Sequence, residues 1–342
     1  MKAAVLETRG RDGLRIGQFD DPKPRPGEAV MRVKAGGINR IDLYMRDVGK
    51  GITHELPIVL GVDGAGEIAE APEGSPLKPG DPVILYPMAY CGRCRACSRG
   101  DQPNCVKFDI CGETRHGTFA EYIAMPEKCF LPKPETLSWT EAAALPVAYL
   151  TAWRMMFGKD PLQPAEIVLI MGVGGGVSSA CLQMAKMIGA RAIVTSSTEA
   201  KLDWARKLGA NDGINYRDED VAKRVMDLTG GGGVDMVIDN VGEASWGASL
   251  RSLRAGGRIV TCGATTGAHP SADIQRLFAR QIAVYGSTLG GADEFRQLID
   301  VAARGLISPL IDTAYALDDI ESGFARMEQG EQQGKLMVEI GE

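Results

Sequence analysis

Residues 166–180 read EIVLIMGVGGGVSSA. The apolar run Ile167–Met171 suits a strand buried on both faces, and the glycines after it let a backbone approach a ligand closely. Small residues and a polar pair then open a helix, ACLQMAKMIGA (180–190). A strand, a glycine turn and a helix in that order form a phosphate cradle. The helix N-terminus offers unsatisfied N–H groups and a partial positive charge to a pyrophosphate. Gly174, Gly175, Gly176 and Val177 are the residues expected to line it.

The same alternation continues downstream. RAIVTS (191–196), VDMVIDN (234–240), RIVTCGA (258–264) and IAVYGS (282–287) read as strands. EAKLDWARKLGA (199–210), DVAKRVMDLTG (220–230), ASWGASLRSLRAGG (244–257) and IQRLFARQ (274–281) read as helices between them. This spacing predicts an α/β fold with a doubly wound parallel sheet. Upstream, KAAVL, EAVMRVKA, GEIAEA, PVILY and FAEYIA are short β-type runs separated by turn residues such as RPGE and KPGD. They predict a largely β domain over residues 1–150, with the nucleotide domain at 151–285. Two helices (293–305 and 319–330) and a last strand, GKLMVEI (334–340), exceed what the sheet needs. Residues 286–342 are therefore expected to return to the first domain.

The end of the second strand discriminates between dinucleotides. An acid there would bind a ribose 2′-hydroxyl and repel a 2′-phosphate. Thr195, Ser196, Ser197 and Thr198 stand there instead, with Lys201 one turn further on. Hydroxyls beside an ammonium suit a phosphate. NADPH is expected as cofactor ahead of NADH.

Four cysteines lie close together in CGRCRACSRGDQPNC (91–105), spaced C-x2-C-x2-C-x7-C. Cys91, Cys94, Cys97 and Cys105 can close a tetrahedral zinc site within a lobe of about 88–110. Four thiolates leave no open position, so this zinc is read as structural, one per chain. Cys111, Cys129, Cys181 and Cys262 are read as ordinary apolar residues. The chain carries a net charge of −6 and 44% hydrophobic residues. Acidity gives no case for nucleic acid or an anionic membrane. MKAAVLETRG has no apolar signal core, and no apolar stretch is long enough to span a bilayer. The expected setting is the cytoplasm, and the expected partner is a small-molecule substrate.

Together these features resemble the medium-chain dehydrogenase/reductase superfamily of zinc alcohol dehydrogenases and quinone reductases. The likeness rests on the zinc lobe, GINRIDLY (37–44), VLGVDGAGEI (59–68), RHGTFAEY (115–122) and the nucleotide fold. It implies a GroES-like catalytic domain, a Rossmann domain, and a homodimer or homotetramer. It implies that Asn39, Asp42 and Tyr44 line the cleft under the nicotinamide, that Thr151 contacts the nicotinamide side, and that Tyr216 lies near the adenosine phosphate. The family's catalytic-zinc ligands fall at Asn39, Val62 and Val147. Valine cannot bind a metal and asparagine is a poor zinc ligand, so catalytic zinc is expected to be absent.

Without that ion a simple alcohol is a difficult substrate, because its developing alkoxide needs strong stabilisation. A quinone or an enone delocalises the charge itself. The expected reaction is hydride transfer from NADPH to a quinone or activated alkene, with Asn39 or Tyr44 donating to the acceptor oxygen. The alternatives are a zinc-type alcohol or aldehyde dehydrogenase, with Asp63, Asp42 or His116 recruited to the metal, and an NADPH-binding sensor with little catalysis. Asp42 reads alternatively as a helix cap, and no role is assigned to His54 or His269.

Overall fold

The computed structural model describes residues 1–49 and 55–341; His54 lies outside them. The chain divides into two compact units, Met1–Leu150 with Gly291–Glu342, and Thr151–Gly290. The second break falls after Gly290, not after residue 285. Ser287 N still donates to Thr261 O (2.8 Å), which keeps the chain on the sheet beyond its last strand.

Unit Thr151–Gly290 is built on a six-stranded sheet. Its spatial order is Asp212–Asn215, Arg191–Ser196, Ile167–Ile170, Val234–Asp239, Leu253–Thr261 and Ala283–Gly286. Every pair is parallel. The order reverses beside Ile167–Ile170, the first strand, which is the switch point at which doubly wound sheets bind ligands. Leu169, Ile193, Val237 and Ile259 are buried here because strands covered on both faces need continuous apolar runs. The helix expected to continue to Gly257 ends at Ser252, and a strand starts at Leu253.

The other unit carries a seven-stranded sheet, a three-stranded sheet and a two-stranded one. Its long strand Glu28–Ile38 pairs antiparallel with Asp63–Glu70 on one side and with Lys335–Glu339 on the other. The last strand of the chain therefore lies against one of the first, with Leu336 opposite Ile38. That register places Lys335 beside Asn39. Among the described residues no helix is long and apolar enough to cross a membrane.

Candidate functional site

Asn39 ends the long strand and precedes the helix Arg40–Asp47. Its backbone N–H donates to Asp42 Oδ2 (2.7 Å), so the Asp42 carboxylate reaches back to close the helix start. Asp42 is completely buried, and its Oδ1 has no hydrogen-bond partner. It is a cap and not a group a substrate can touch, which corrects the catalytic role expected of it. Burial pushes its carboxyl up to about 7, Asp63 and Glu113 adding to this while Asn39 N–H and Lys335 oppose it.

The Asn39 side chain is also committed. Its Nδ2 donates to Asp63 Oδ2 (2.9 Å) and to Gly37 O (3.1 Å), and its Oδ1 accepts from Lys335 Nζ (2.6 Å). Both amide hydrogens are used, so Asn39 has none left for an acceptor oxygen; the donor role expected of it is corrected on that ground. Lys335 Nζ donates further to Asp63 Oδ2 (2.7 Å) and Ile38 O (3.1 Å), which uses all three ammonium hydrogens. Asp63 Oδ1 accepts from Val147 N (2.8 Å). Burial raises the Asp63 carboxyl above its ordinary range, against the pull of Lys335, Asn39 and Val147.

Positions 39, 62–63 and 147 thus converge in one unit, but around a buried ion pair. Tyr44 differs from its neighbours: it sits on the outer side of its helix, 38% exposed. His116 is not part of the network. Its Nδ1 accepts from Val59 N (3.2 Å), its ring meets Phe19 edge-on, and burial and Arg115 lower its pKa. Arg46 pairs with Asp47 (2.7 Å) and Glu328.

Glu113 shows the cost of burying a carboxylate without a cation. Burial alone pushes it up to about 7. The folded state then holds a proton that the unfolded state releases above its ordinary pKa, so stability falls as pH rises from about 4.5 to about 7. Glu113→Gln is expected to match wild type at pH 4 and to exceed it by about 2 kcal/mol at pH 8. Urea denaturation at both pH values measures this, and a pH-independent difference would contradict it.

In the other unit the glycine turn is held from two sides. Gly172 N donates to Thr195 Oγ1 (3.0 Å) and Val173 N to Thr195 O (2.7 Å). Ser178 Oγ donates to Met171 O (3.1 Å) and accepts from Asn240 Nδ2 (3.1 Å). Gly174 has φ 130°, which favours glycine. Gly175 caps the helix Gly176–Ile188, and a Cβ on it would meet nothing within 4 Å. Open space before a helix whose first N–H groups lack intrahelical partners fits a dinucleotide pyrophosphate. Val177 lies in the first turn, and Thr151 is nearly buried at the start of the unit.

At the second strand, Tyr216 N donates to Ser196 O (3.0 Å), which brings the two expected adenosine-side positions together. Ser196 is buried, so Ser197 is the hydroxyl nearer the surface. Thr198 Oγ1 accepts from Lys201 N (3.4 Å) and caps the helix Glu199–Lys207. Sequence reasoning passed over Arg217, next to Tyr216. It is exposed, and among the described residues its guanidinium makes no ion pair. Its acidic neighbours are engaged: Asp218 with Asn215 Nδ2 (2.6 Å), Glu219 with Arg224 (3.4 Å), Glu199 with Arg206 (3.8 Å).

The four cysteine sulfurs lie within 4.8 Å of one another. Cys94 is 3.5 Å from Cys97 and 3.9 Å from Cys105, and Cys91 is 4.0 Å from Cys97. Four ligands about 2.3 Å from a tetrahedral zinc stand roughly 3.8 Å apart, so the cluster fits that ion. Backbone N–H groups of Cys97 and Val106 lower the Cys94 thiol to about 6, whereas burial raises Cys97 to about 12; a bound cation would hold all four as thiolates.

The sequence matches two families, "Alcohol dehydrogenase GroES-like domain" over residues 25–135 and "Zinc-binding dehydrogenase" over 176–304. A zinc-type alcohol dehydrogenase-like protein of Schizosaccharomyces pombe is 31% identical, covering 98% of this chain and 97% of its own. A crotonyl-CoA reductase of Streptomyces avermitilis is 30% identical over 98% of this chain and 84% of its own. The crystal structure of an NAD-dependent alcohol dehydrogenase superposes with a TM-score of 0.95 at 36% identity, covering 100% of both chains. The likeness runs along the whole chain, which belongs to the medium-chain dehydrogenase/reductase superfamily of zinc-type alcohol dehydrogenase-like oxidoreductases.

Proposed function

We propose that the protein reduces a quinone or an enone-type activated alkene, with NADPH as hydride donor and no catalytic zinc. The observation that carries this is the Asn39–Asp63–Lys335 network at the positions where the family holds its catalytic metal. Two of those positions are valines, and the third is an amide whose oxygen already accepts from an ammonium. A second cation beside Lys335 would meet like-charge repulsion.

When bound, a reduced nicotinamide supplies hydride to the acceptor carbon. The acceptor's own conjugated oxygen takes the charge, so a single hydrogen bond to it suffices in place of a Lewis acid, and a proton from the Tyr44 hydroxyl or from water completes the reduction. Tyr44, partly exposed on the helix that follows Asn39, is the residue assigned to that bond. The chain holds the helix bearing Tyr44 in register through the Asn39 N–H to Asp42 bond and the Lys335 anchor on Ile38 and Asn39. Tyr44→Phe is expected to lower kcat with the best acceptor by about 10- to 100-fold, with little change in cofactor affinity. Unchanged kcat would remove Tyr44 from the mechanism.

The preference for NADPH is supported by Ser197 and Lys201 where an acid would bind NADH, and by the unpaired Arg217 beside Tyr216. The names of the relatives favour a second reading, an alcohol dehydrogenase using NADH; the residues at the metal positions oppose it.

We further infer a homodimer or homotetramer in the reducing cytoplasm. The strand Ala283–Gly286 is a sheet edge with Val284 exposed, and the adjoining helix Ile274–Arg280 leaves Ile274 and Phe278 each 69% exposed. An unpaired edge beside apolar side chains favours pairing with a second copy. None of the eight cysteines is in a disulfide, which fits a reducing compartment.

A further inference from the structure

Three turns meet at the carboxyl ends of the parallel strands in unit Thr151–Gly290. The glycine turn follows Ile167–Ile170. Residues 240–242 follow the neighbouring strand Val234–Asp239, and Thr265 and Thr266 lie shortly after Leu253–Thr261. Asp239 folds the middle turn. It is completely buried; its Oδ1 accepts from Val241 N (2.9 Å) and Gly242 N (3.1 Å), and its Oδ2 accepts from Ser249 Oγ (2.7 Å). Gly242 has φ 93°, a backbone path that favours glycine. From the far side Thr265 Oγ1 donates to Asn240 O (2.9 Å), and Thr266 N donates to Val241 O (2.9 Å).

The middle turn in its turn holds the glycine turn. Asn240 Nδ2 donates to Ser178 Oγ (3.1 Å). Ser178 is completely buried in the first turn of the helix Gly176–Ile188, and its own hydrogen goes to Met171 O (3.1 Å). One hydroxyl thus joins the end of the first strand, the start of the helix and the end of the adjacent strand. Val241 closes the same side, since a Cβ on Gly172 would lie 3.3 Å from Val241 Cγ2. A hydroxyl donates once, so with its hydrogen spent on Met171 the Ser178 oxygen can only accept, and Asn240 is the donor it meets.

We propose that Asn240 is a positioning residue for the dinucleotide: through Ser178 it fixes the helix start whose N–H groups face the pyrophosphate, and Asp239 holds the turn that carries it. This rests on the reading of that helix start as the pyrophosphate site. N–H groups already aimed at the phosphates need no ordering when the ligand arrives; on a start free to shift, the ligand must order them, which weakens binding. The effect belongs to the phosphate bridge. The adenosine end is assigned to Arg191–Ser196 and the residues after it, on the opposite side of Ile167–Ile170 from Asn240, and does not share the bond.

The test compares wild type, Asn240→Ala, Ser178→Ala and the double variant. Calorimetry gives the affinity for NADPH and NADH, and for the matching fragments without pyrophosphate, adenosine 2′-phosphate and adenosine. Asn240→Ala is expected to weaken the dinucleotide Kd by about three- to tenfold, the scale of one hydrogen bond, and to leave the fragment Kd unchanged. The double variant should bind no more weakly than Ser178→Ala, because the bond is already gone in that single variant. An unchanged dinucleotide Kd in Asn240→Ala overturns the positioning role alone. So does an equal weakening of dinucleotide and fragment, which marks a general loss of structure, and so do additive losses in the double variant. Failure of wild type to bind either dinucleotide overturns the cofactor reading and this inference together.

Discussion

Lys335→Met is expected to destabilise the unit that contains it by about 3–5 kcal/mol, the cost of stranding a buried charge. Lys335 is 2% exposed and Asp63 fully buried, so no water can replace the lost partner. The substitution keeps much of the side-chain volume. It removes the donor to Asp63 Oδ2, Asn39 Oδ1 and Ile38 O together. The deficit should shrink at low pH, where Asp63 takes a proton, and in the double variant with Asp63→Asn, which removes the stranded charge. Denaturant titration of the single and double variants measures it. A loss below about 1 kcal/mol in Lys335→Met would mean that the ion pair is not what holds the Asn39 helix start.

Cys94→Ser is expected to give protein with less than one zinc per chain and a lower Tm. Structural zinc contributes on the order of 10 kcal/mol to the folding of its site, and a serine oxygen replaces a thiolate poorly. The lobe has little else to fold around. Its regular structure is limited to two three-residue turns, Cys97–Arg99 and Gln102–Asn104, and the paired two-residue strands Met88–Ala89 and Asp109–Ile110 at its base, and Val106 and Phe108 remain 80% and 51% exposed. The metal serves as its core. Cys262→Ser, far from the cluster in sequence, serves as the control and should keep its zinc. Cys94→Ser protein with full zinc and an unaltered Tm would refute the assignment of the four ligands.

The doubly wound sheet was legible wherever a strand was a continuous apolar run. RAIVTS and VDMVIDN became Arg191–Ser196 and Val234–Asp239, because burial on both faces demands that composition. Asp212–Asn215 was not legible. It is a four-residue edge strand with a single large apolar residue, the buried Ile214, too little for an apolar run to show. Ile311–Ala316 was missed for a similar reason, as a partly exposed strand at the end of its sheet. Leu253 and Arg254 read as the end of a helix because ASLRSLR has helical periodicity, but pairing with Val234 draws Leu253 into the sheet.

The cysteine cluster was readable, since all four sulfurs that come together fall within fifteen residues. The polar network was not. Lys335 opens an unremarkable apolar run, and its partner Asp63 is 272 positions away. Resemblance pointed to Asn39, yet only the folded register shows that both its amide hydrogens are used. Short-range chemistry is written in spacing; the pairing of a first strand with a last one is not.

The central claim is hydride transfer without a catalytic metal. The most direct measurement is zinc content together with steady-state NADPH and NADH oxidation against a naphthoquinone, an enone and an aldehyde, and a simple alcohol in reverse. The cofactors and acceptors are assayed before and after brief chelation that leaves the lobe metal in place. One zinc per chain, with quinone or enone turnover that prefers NADPH and survives chelation, is the predicted result. Two zincs per chain, with robust alcohol oxidation abolished by chelation, would contradict it.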